Sequence, residues 1–338
     1  MSSNTTLKQI ADELGLSAMT VSRAINNRSN VGKETRKRVL GAAKRLGYSP
    51  NHIARSLVSK KSFSIGVVIP EISHSFFPEV ISGIEEVTYG KNYQLLLTQS
   101  AEDHEKEIKS IEMLRSKRVD GILVSCAQTT EDFSYYQEVI RSGLPFVFFD
   151  RCAEGIGASC VSVNDRQSSR GITQHLIDHG HKKIAHLMGP SKLSIGIERL
   201  EGFKEALRGS DLPINPKWIV ESGFKEQGGY QAMEQILSLS PEDRPSALVA
   251  ANDPVAIGAM EALAENGLSI PEDMAIVGFS DDIRSPLLPC PLTTVQQPGY
   301  QLGMKAAEKL MNVIDGKNGF IENIEVLTKN IYRASCGC

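Results

Sequence analysis

Seven side chains between residues 17 and 26 have types and spacing that suit contact with nucleic acid. Arg23 carries a planar guanidinium that can donate two hydrogen bonds to a guanine edge, and Ala18 and Met19 offer apolar contact, for instance to a thymine methyl group. Thr20 and Asn26 suit phosphate oxygens, which position a protein on DNA without reading its sequence. The candidate contacts are Ser17, Ala18, Met19, Thr20, Ser22, Arg23 and Asn26.

A pair of short helices would present these side chains together. Thr6 can cap a first helix, and Gly15 permits the left-handed turn that stops it. Ser17 can cap a second helix, whose apolar positions 21, 24 and 25 follow helical spacing. In a helix-turn-helix the second helix lies in the major groove, with its N-terminal side chains toward the base edges. The pattern predicts that arrangement here.

The same region is strongly basic. Residues 1–62 hold twelve Lys or Arg against three acids, a net charge of +9; the whole chain is −3, so residues 63–338 carry −12. A basic region joined to an acidic body suggests a surface for a polyanion, although a solvated face of an ordinary helical domain would have the same charge. A third helix is predicted at about residues 33–46, where Arg36, Lys37 and Arg38 fit either interpretation.

The segment at residues 48–57, YSPNHIARSL, predicts a conditional helix. Ser49 can cap it and Pro50 suits the first helical position, but about eight residues are too few for a helix to be stable alone in water. Leu57 beside Arg55 suits an apolar wedge between base pairs in the minor groove. A plain linker that happens to hold a Leu is the alternative. The candidate DNA contacts of this hinge, residues 49–57, are Asn51, Ala54, Arg55 and Leu57.

The composition favours a cytoplasmic protein without a leader, a membrane span, a metal or a cofactor. MSSNTTLKQIADEL has no basic-then-apolar leader, and no apolar run approaches the roughly 20 residues that span a bilayer. The six cysteines are scattered in a chain that is too long to need disulfide bonds for stability, which indicates a reducing compartment. Cys336-Gly-Cys338 lacks a second ligand pair at metal-site spacing, so we expect a frayed segment rather than a zinc site. His74 also has no partner at ligand spacing.

From Phe63 onward, β-rich runs alternate with helix-length stretches. The first strand candidates are FSIGVVIP, YQLLLTQS, VDGILVSC and LPFVFFD. Near Cys160 the cycle begins again with CVSVN, KIAHLMG, KWIVES, ALVAAN and MAIVGFS. Repeated βα units predict parallel sheets with helices on both faces, and two series predict two similar lobes. A ligand crevice is then expected at the carboxyl ends of the strands.

Polar and aromatic side chains just past these strands are candidates for the crevice. Phe76 and Phe77 follow the first strand, and Ser125 follows the third. Asp165 opens a helix, and Asn252 follows ALVAA. Asp165 and Asn252 could instead be helix N-caps, and either Phe could belong to the core.

The chain resembles the lactose-repressor/galactose-repressor family of bacterial transcription regulators. The resemblance is carried by IADELGLSAMTVSRAINN, followed about twenty residues later by GYSPNHIARSL, and it continues to about Tyr332. It implies an all-α helix-turn-helix head with a hinge helix, residues 1–61, and an α/β body, residues 62–338, like periplasmic sugar-binding proteins. The body would have two doubly wound parallel-sheet lobes with three chain crossings. The expected lobes are about 62–161 with 296–320, and about 162–291 with 321–338.

The same resemblance implies ligand contacts in the crevice. Arg199 in ERLEGF matches the family's ligand-binding Arg and could clamp hydroxyls or a carboxylate, although a surface ion pair is the alternative. Phe224 could stack on a ring. Many relatives have an Asp directly after the Gly-Phe or Gly-Tyr pair. Here Ser280 follows that pair, and the acids Asp281 and Asp282 come after it. Leu193 and Ile195 occupy positions that are polar or basic in some relatives. The purine-binding pattern is therefore poorly matched, and a neutral sugar or sugar derivative is favoured. The expected contacts are Phe76, Phe77, Ser125, Asp165, Arg199, Phe224, Asn252 and Asp281.

The resemblance further implies a repressor whose operator binding is controlled by a small molecule. One arrangement of the lobes would hold paired hinge helices on DNA, and the ligand would shift the population between arrangements. Two-fold symmetry implies a near-palindromic operator. Relatives that tetramerise carry an additional Leu-rich helix, whereas this chain stops at RASCGC, so a homodimer is expected.

Three rival functions differ in class. An extracytoplasmic sugar-binding protein could have the same lobes, but the basic head and the missing leader argue against it. An enzyme is disfavoured because GxSxG and GxxxxGK[ST] are both missing. The third keeps the repressor but replaces the small molecule by a protein co-effector.

Overall fold

The computed structural model describes residues 5–25, 30–48, 61–73, 75–153, 155–317 and 320–338. Contacts between residues divide the chain into two units, Met1–Ser62 and Phe63–Cys338. Among the described residues, no helix is long and apolar enough to cross a membrane.

The first unit, the head, contains the predicted helix-turn-helix. Its helices are Leu7–Leu14, Ala18–Ile25 and Lys33–Arg45. The Thr6 Oγ1 accepts a hydrogen bond from the Gln9 backbone N–H, and the Gln9 side chain accepts one from the Thr6 N–H, so two free N–H groups of the first turn are satisfied. Gly15 has φ 64° and ends the helix, as predicted. Ile10, Val21 and Val39 are fully buried between the helices.

The second unit, the body, alternates strands and helices along the chain. The strands are β1 Ser64–Ile69, β2 Gln94–Gln99, β3 Gly121–Val124, β4 Phe146–Phe149, β5 Ser159–Val163, β6 Ile184–Met188, β7 Ile219–Glu221, β8 Ala247–Ala250, β9 Ala275–Ser280, β10 Thr293–Gln296, β11 Asn323–Val326 and β12 Lys329–Ile331. The α-helices are Phe76–Gly90, His104–Ser116, Ser134–Arg141, Asp165–Asp178, Ser194–Gly209, Glu226–Leu237, Asp253–Glu265 and Gly299–Ile314. Short 3-10 helices lie at Pro216–Trp218, Pro241–Asp243, Ser285–Leu287 and Ala334–Cys336.

Two six-stranded sheets define the two lobes. The first has the order β11-β5-β4-β3-β1-β2 and is parallel throughout. The second has the order β12-β10-β9-β8-β6-β7, in which only the edge strand β12 is antiparallel. The doubly wound α/β class predicted from the βα repeats is confirmed.

The chain crosses between the lobes three times, after β5, after β10 and after β11. The expected limits of the crossings need correction. β5 runs to Val163, so the first lobe extends past residue 161. β10 pairs with β9, so the second lobe extends to Gln296 rather than 291. β11 pairs with β5, with Asn323 opposite Cys160, so residues 323–326 belong to the first lobe and not the second. A four-residue edge strand with alternating exposure has no apolar run that would mark it in the sequence.

Helices cover both faces of each sheet. In the first lobe, Val67 packs in one layer with Leu310, and its neighbour Val68 packs in the opposite layer with Tyr136. Successive residues of a strand point to opposite faces, so a strand buried on both sides is apolar throughout. This is why β1, β3, β4 and β8 appear in the sequence as unbroken apolar runs.

Glycines let helices approach each other closely in both lobes. A Cβ at Gly83 would lie 2.0 Å from the Tyr300 carbonyl oxygen, and one at Gly303 would lie 2.0 Å from the Val80 carbonyl oxygen. The helices Phe76–Gly90 and Gly299–Ile314 therefore meet backbone to backbone. Since Phe76 follows β1 at the crevice, this contact also fixes the start of a helix that lines it.

Gly83→Ala should lower the free energy of unfolding by about 1–3 kcal/mol, because the added methyl group meets rigid backbone rather than a side chain that can move. Gly90→Ala is the matched control on the same helix, since nothing lies within 4 Å of its Cβ position. Urea unfolding of both variants checks the prediction. Equal stabilities of the two variants would contradict it.

Two expectations about the cysteines are wrong. Cys152 and Cys160 form a disulfide, with 5.9 Å between their Cα atoms, although the chain was expected to lack one. The segment at residues 334–338 is not frayed. Its Ser335 N–H donates to the Pro291 carbonyl oxygen at 3.0 Å, the Ser335 Oγ donates to the Ile276 carbonyl oxygen at 2.6 Å, and Cys336 is buried.

Candidate DNA-reading helix and inter-lobe cavity

The helix Ala18–Ile25 presents the predicted DNA-reading face. Ser17, Ala18, Met19 and Arg23 are exposed, and Thr20 and Ser22 are half-buried. The opposite face is fixed in the core of the head by Val21 and Ala24. The Ser17 Oγ accepts a hydrogen bond from the Thr20 N–H at 3.1 Å, which confirms the predicted cap. Met19 is 63% exposed, so its side chain is accessible to a partner surface.

Several predicted DNA contacts lie outside the described residues. These are Asn26 in the head and the hinge residues Asn51, Ala54, Arg55 and Leu57. Their roles stay predictions.

In the body, a cavity of about 400 Å³ lies between the lobes. Its lining comes from the segments that follow the carboxyl ends of strands in both sheets, as the parallel topology requires. Five predicted contacts line it, namely Phe76, Phe77, Arg199, Phe224 and Asn252.

Three predicted contacts lie outside this lining. Ser125 is fully buried, and its Oγ donates to Asp150 Oδ2 at 3.5 Å. Asp165 is buried behind Arg199, and Asp281 pairs with Arg333 at 2.8 Å. Asp282, the next residue, lines the cavity instead of Asp281. Each of these three side chains therefore binds a neighbouring protein group, Asp150, Arg199 or Arg333, and does not line the cavity.

Arg199 is a firmly held cation of the cavity. Its side chain is buried, so the alternative of a surface ion pair is wrong. The Nε donates to Asp165 Oδ1 at 2.7 Å, and the Nη1 donates to the Ala251 carbonyl oxygen at 2.6 Å. The guanidinium carbon lies 3.7 Å from the centre of the Phe279 ring. Fixed by these groups, the guanidinium can bind a ligand without losing much side-chain entropy.

Asn252 is a helix N-cap, one of the two roles considered for it, and it also lines the cavity. Its Oδ1 accepts from the Val255 N–H at 2.9 Å and caps the helix Asp253–Glu265, and its Nδ2 donates to the Phe224 carbonyl oxygen at 3.0 Å. Asn164, rather than Asp165, caps the helix Asp165–Asp178. Phe77 also has two roles, since it lines the cavity and belongs to the core of the first lobe.

An acidic and basic pair that follows β4 was not among the predicted contacts. Arg151 is buried, pairs with Glu102 at 2.7 Å and lies 5.2 Å from the centre of the Phe224 ring of the other lobe. Asp150 lines the cavity beside it with φ 60°, a conformation that is sparsely populated outside glycine and tends to occur at functional sites. The signal was available, because Asp-Arg directly follows the buried run FVFF.

Burial raises the pKa of Asp150 from its ordinary value of 3.8 to about 6. The carboxylates of Asp165 and Glu102 add to this effect, whereas the guanidinium groups of Arg151 and Arg199 oppose it. The side chain can therefore change between hydrogen-bond acceptor and donor close to neutral pH.

This pKa predicts a measurable pH dependence of stability. The folded chain binds the Asp150 proton more tightly than the unfolded chain does, so this group's contribution to stability is highest below about pH 4 and falls as pH rises to about 6. The asparagine of Asp150→Asn cannot titrate. The free energy of unfolding of this variant, relative to that of the parent protein, should therefore rise by up to about 3 kcal/mol across that range. Urea unfolding of both proteins at several pH values checks this, because titrating groups that do not interact with Asp150 cancel in the difference. A pH-independent difference would contradict it.

A helix-turn-helix head followed by a two-lobed α/β body with a polar cavity defines a class of protein, the DNA-binding regulators that carry a ligand-binding domain. Residues 6–51 match the family described as "Bacterial regulatory proteins, lacI family". Residues 62–334 match "Periplasmic binding proteins and sugar binding domain of LacI family". The chain belongs to the LacI family of bacterial regulatory proteins.

Curated relatives of similar length are transcriptional repressors rather than enzymes. The chain is 37% identical over 335 residues to the HTH-type transcriptional repressor PurR of Haemophilus influenzae (strain PittEE), covering 98% of each chain. It is 36% identical over 330 residues to PurR of Pasteurella multocida (strain Pm70), again covering 98% of each.

Solved structures agree over nearly the whole chain. The lac repressor dimer bound to operator and the anti-inducer ONPF is 25% identical, with a TM-score of 0.88 and 99% of each chain covered. The transcriptional regulator CelR in complex with cellobiose is 27% identical, with a TM-score of 0.75, covering 98% of this chain and 100% of that one.

Proposed function

We propose that this repressor acts as a homodimer on a near-palindromic operator in the bacterial cytoplasm, and that a neutral polyhydroxylated molecule, a sugar or sugar derivative, controls it from the inter-lobe cavity. The solved structure of a lac repressor dimer on its operator supports the assembly, and the solved cellobiose complex supports the ligand class.

The observation that carries the ligand class is the pairing of charges around the cavity. Every charged side chain in its described lining has an oppositely charged partner within 4 Å. The pairs are Glu71–Lys225, Glu102–Arg151, Asp150–Arg151, Arg199–Asp165 and Asp282–Arg284. Arg151 is shared by Glu102 and Asp150, so the pairs hold five acids against four bases and no unpaired cation of the described lining is left to demand an anionic ligand. The paired groups still offer donors and acceptors for hydroxyl groups.

Two buried donors support the same class. Arg151 Nε and Gln297 Nε2 are buried side-chain nitrogens with no hydrogen-bond acceptor. Both residues line the cavity. Both nitrogens are shielded from the cavity, so a ligand hydroxyl or ring oxygen satisfies them only if these side chains turn toward it. The turn has a driving force, because a buried polar group without a partner costs about 1–3 kcal/mol.

The apolar side of the cavity supports a sugar over a purine. Ile195 lines the cavity and packs with Leu193, Phe224 and Ala251 in a small apolar cluster. This surface offers an aromatic and aliphatic face to a pyranose ring but gives no hydrogen bonds at the two positions that are polar or basic in some relatives.

The three crossings provide the element that switches. Two hydrogen bonds tie crossing residues to neighbouring elements. Asn164 Nδ2, in the first crossing, donates to Glu325 Oε2 of β11 at 3.1 Å, and the Thr328 hydroxyl, in the third crossing, lies 2.8 Å from the Ser168 hydroxyl of the helix Asp165–Asp178. The lobe-to-lobe pair Lys225–Glu71 is 3.7 Å long, with 65% of the Lys225 side chain exposed. Exposed pairs contribute at most about 1 kcal/mol, so a ligand that contacts both lobes can outweigh this link.

A thermal-shift screen of the full chain tests the ligand class. Neutral mono- and disaccharides, sugar phosphates and purine bases form its three arms. A ligand at 100 times its Kd adds about 2.7 kcal/mol of stability, so a true effector is easily detected. The hit is then added to the repressor bound to DNA selected from a random pool, and anisotropy reports the change in affinity.

Two glutamine variants sharpen the result. Gln297→Leu removes a lining donor and should weaken the response, whereas Gln235→Leu, on an exposed helical surface outside the lining, should preserve it. Hits confined to the phosphates or the purines would overturn the proposed class. A screen without any hit would reject the sugar and favour the protein co-effector.

A further inference from the structure

A cluster of possible metal ligands lies in the second lobe, outside the cavity lining. The segment at residues 334–338 brings Cys336 and Cys338 against the last turn of the helix Asp165–Asp178, where His175 lies. The Cys336 and Cys338 Sγ atoms are 2.7 Å apart, and Cys338 Sγ is 3.7 Å from His175 Nε2. One ligand atom of each residue lies within 4.8 Å of the other two.

The two thiols are held by the packed segment. Cys336 is buried, and its Sγ accepts a hydrogen bond from Thr293 Oγ1 at 3.0 Å. Gly337 has φ 83°, a conformation that L side chains rarely adopt, and this turn places Cys338 beside Cys336 on the exposed side. A Cys-Gly-Cys segment thus presents two sulfurs to the same point.

The imidazole is fixed by its neighbours. The His175 ring stacks on the Tyr332 ring with 4.3 Å between centres, and the ring of His179, the residue directly after the helix, lies 4.3 Å away. Two aromatic neighbours restrict rotation of the His175 side chain, so its Nε2 is held toward the sulfurs before any ion arrives.

We propose that Cys336, Cys338 and His175 form a site for one divalent ion of the zinc type. Two thiolates and an imidazole are the donors that Zn²⁺ prefers, and they exclude the oxygen-seeking Mg²⁺ and Ca²⁺. Sulfur and nitrogen ligands on one tetrahedral Zn²⁺ lie roughly 3.5 Å apart, close to the observed distance of 3.7 Å.

Metal binding replaces the two S–H bonds by Zn–S bonds and lengthens the distance between the two sulfur atoms. Each thiol releases its proton to solvent as a Zn–S bond forms. The two sulfurs must separate from 2.7 Å to roughly 3.7 Å, which the exposed Cys338 permits. The fourth position faces solvent on the Cys338 side. The ion would join the segment at residues 334–338 to the helix that begins beside Arg199 at the cavity.

The test uses the full chain with ZnCl₂ or CoCl₂ as the only added ligand. We expect one ion per chain, release of two protons, and a thiolate-to-cobalt charge-transfer band in the Co²⁺ form. Loss of a metal site's outer partner typically costs about 10–100-fold in affinity, so Cys338→Ser and His175→Ala should each cost at least about 10-fold. Cys338 is exposed, so its replacement leaves the fold intact.

Matched controls separate this site from other thiols and imidazoles. Cys290→Ser and the double variant Cys152→Ser/Cys160→Ser should keep the affinity, as should His181→Ala, whose Nδ1 bonds to Ser246 Oγ instead. Undiminished binding in Cys338→Ser, or a Co²⁺ form without a thiolate band, would overturn the proposal. A reduced chain that binds no metal would also overturn the proposal. Cys336 and Cys338 would then serve only as a thiol–disulfide pair.

Discussion

Arg199→Met is expected to lower the free energy of unfolding of the body by about 3–5 kcal/mol, the range for removing one partner of a buried ion pair. Asp165 would keep its burial but lose its counter-charge, and burial already raises the pKa of Asp165 with the arginine present. The variant should also lose its response to the effector, because the guanidinium lines the cavity.

Two further variants decide whether the uncompensated charge is the cause. Arg166→Met removes an arginine from the same pair of helices, but the Arg166–Glu198 pair is about 40% exposed on each side, so little change is expected. Asp165→Asn added to Arg199→Met should recover part of the lost stability, since it removes the isolated carboxylate. Urea unfolding measures all of them. If Arg166→Met lowers the free energy of unfolding as much as Arg199→Met does, the uncompensated charge of Asp165 is not the cause.

Arg23→Ala is expected to reduce affinity for the selected operator by between about 30-fold and about 10⁴-fold. Each bidentate contact to a guanine discriminates by about 1–3 kcal/mol, and a homodimer makes two such contacts. Arg23 is exposed on the helix Ala18–Ile25, whose opposite face is packed in the core of the head, so its removal should not disturb the fold. Anisotropy titrations against the operator and its single-base variants give the measurement.

Arg45→Ala is the control for charge alone. Arg45 pairs with Glu13 and lies outside the reading helix. Its loss should weaken binding to all DNA sequences alike and reduce the salt dependence, without changing the preferred base. An unchanged base preference in Arg23→Ala would exclude a reading role for that residue.

The head was predictable because its signals are local. Thr6 and Ser17 act on N–H groups three residues away, and the buried positions repeat within one turn of a helix. The same holds for the buried parallel strands β3, β4 and β8, each of which is one unbroken apolar run. Short-range physics of this kind can be seen in one window of sequence.

The details of the cavity depend on contacts between distant residues. Arg151 was missed because its partners, Glu102 and Phe224, lie 49 and 73 positions away in the numbering. Asp281 and Asp282 are indistinguishable by type, and only the turn after β9 sends one to Arg333 and the other to the cavity. His175 is 163 positions from Cys338, so no spacing rule could join them.

The three crossings have a consequence for synthesis of the chain. The first lobe lacks the helix Gly299–Ile314 and β11 until residue 326 has been made, and that helix supplies Leu302, Ala306 and Leu310 to the core around β1. The second lobe has most of its core within residues 172–295, to which the later chain adds Cys336. The first lobe therefore cannot complete its core before strands β6–β10 of the second lobe have been made. Pairings this distant in the chain fold slowly, so an apolar face of the first sheet stays open during translation.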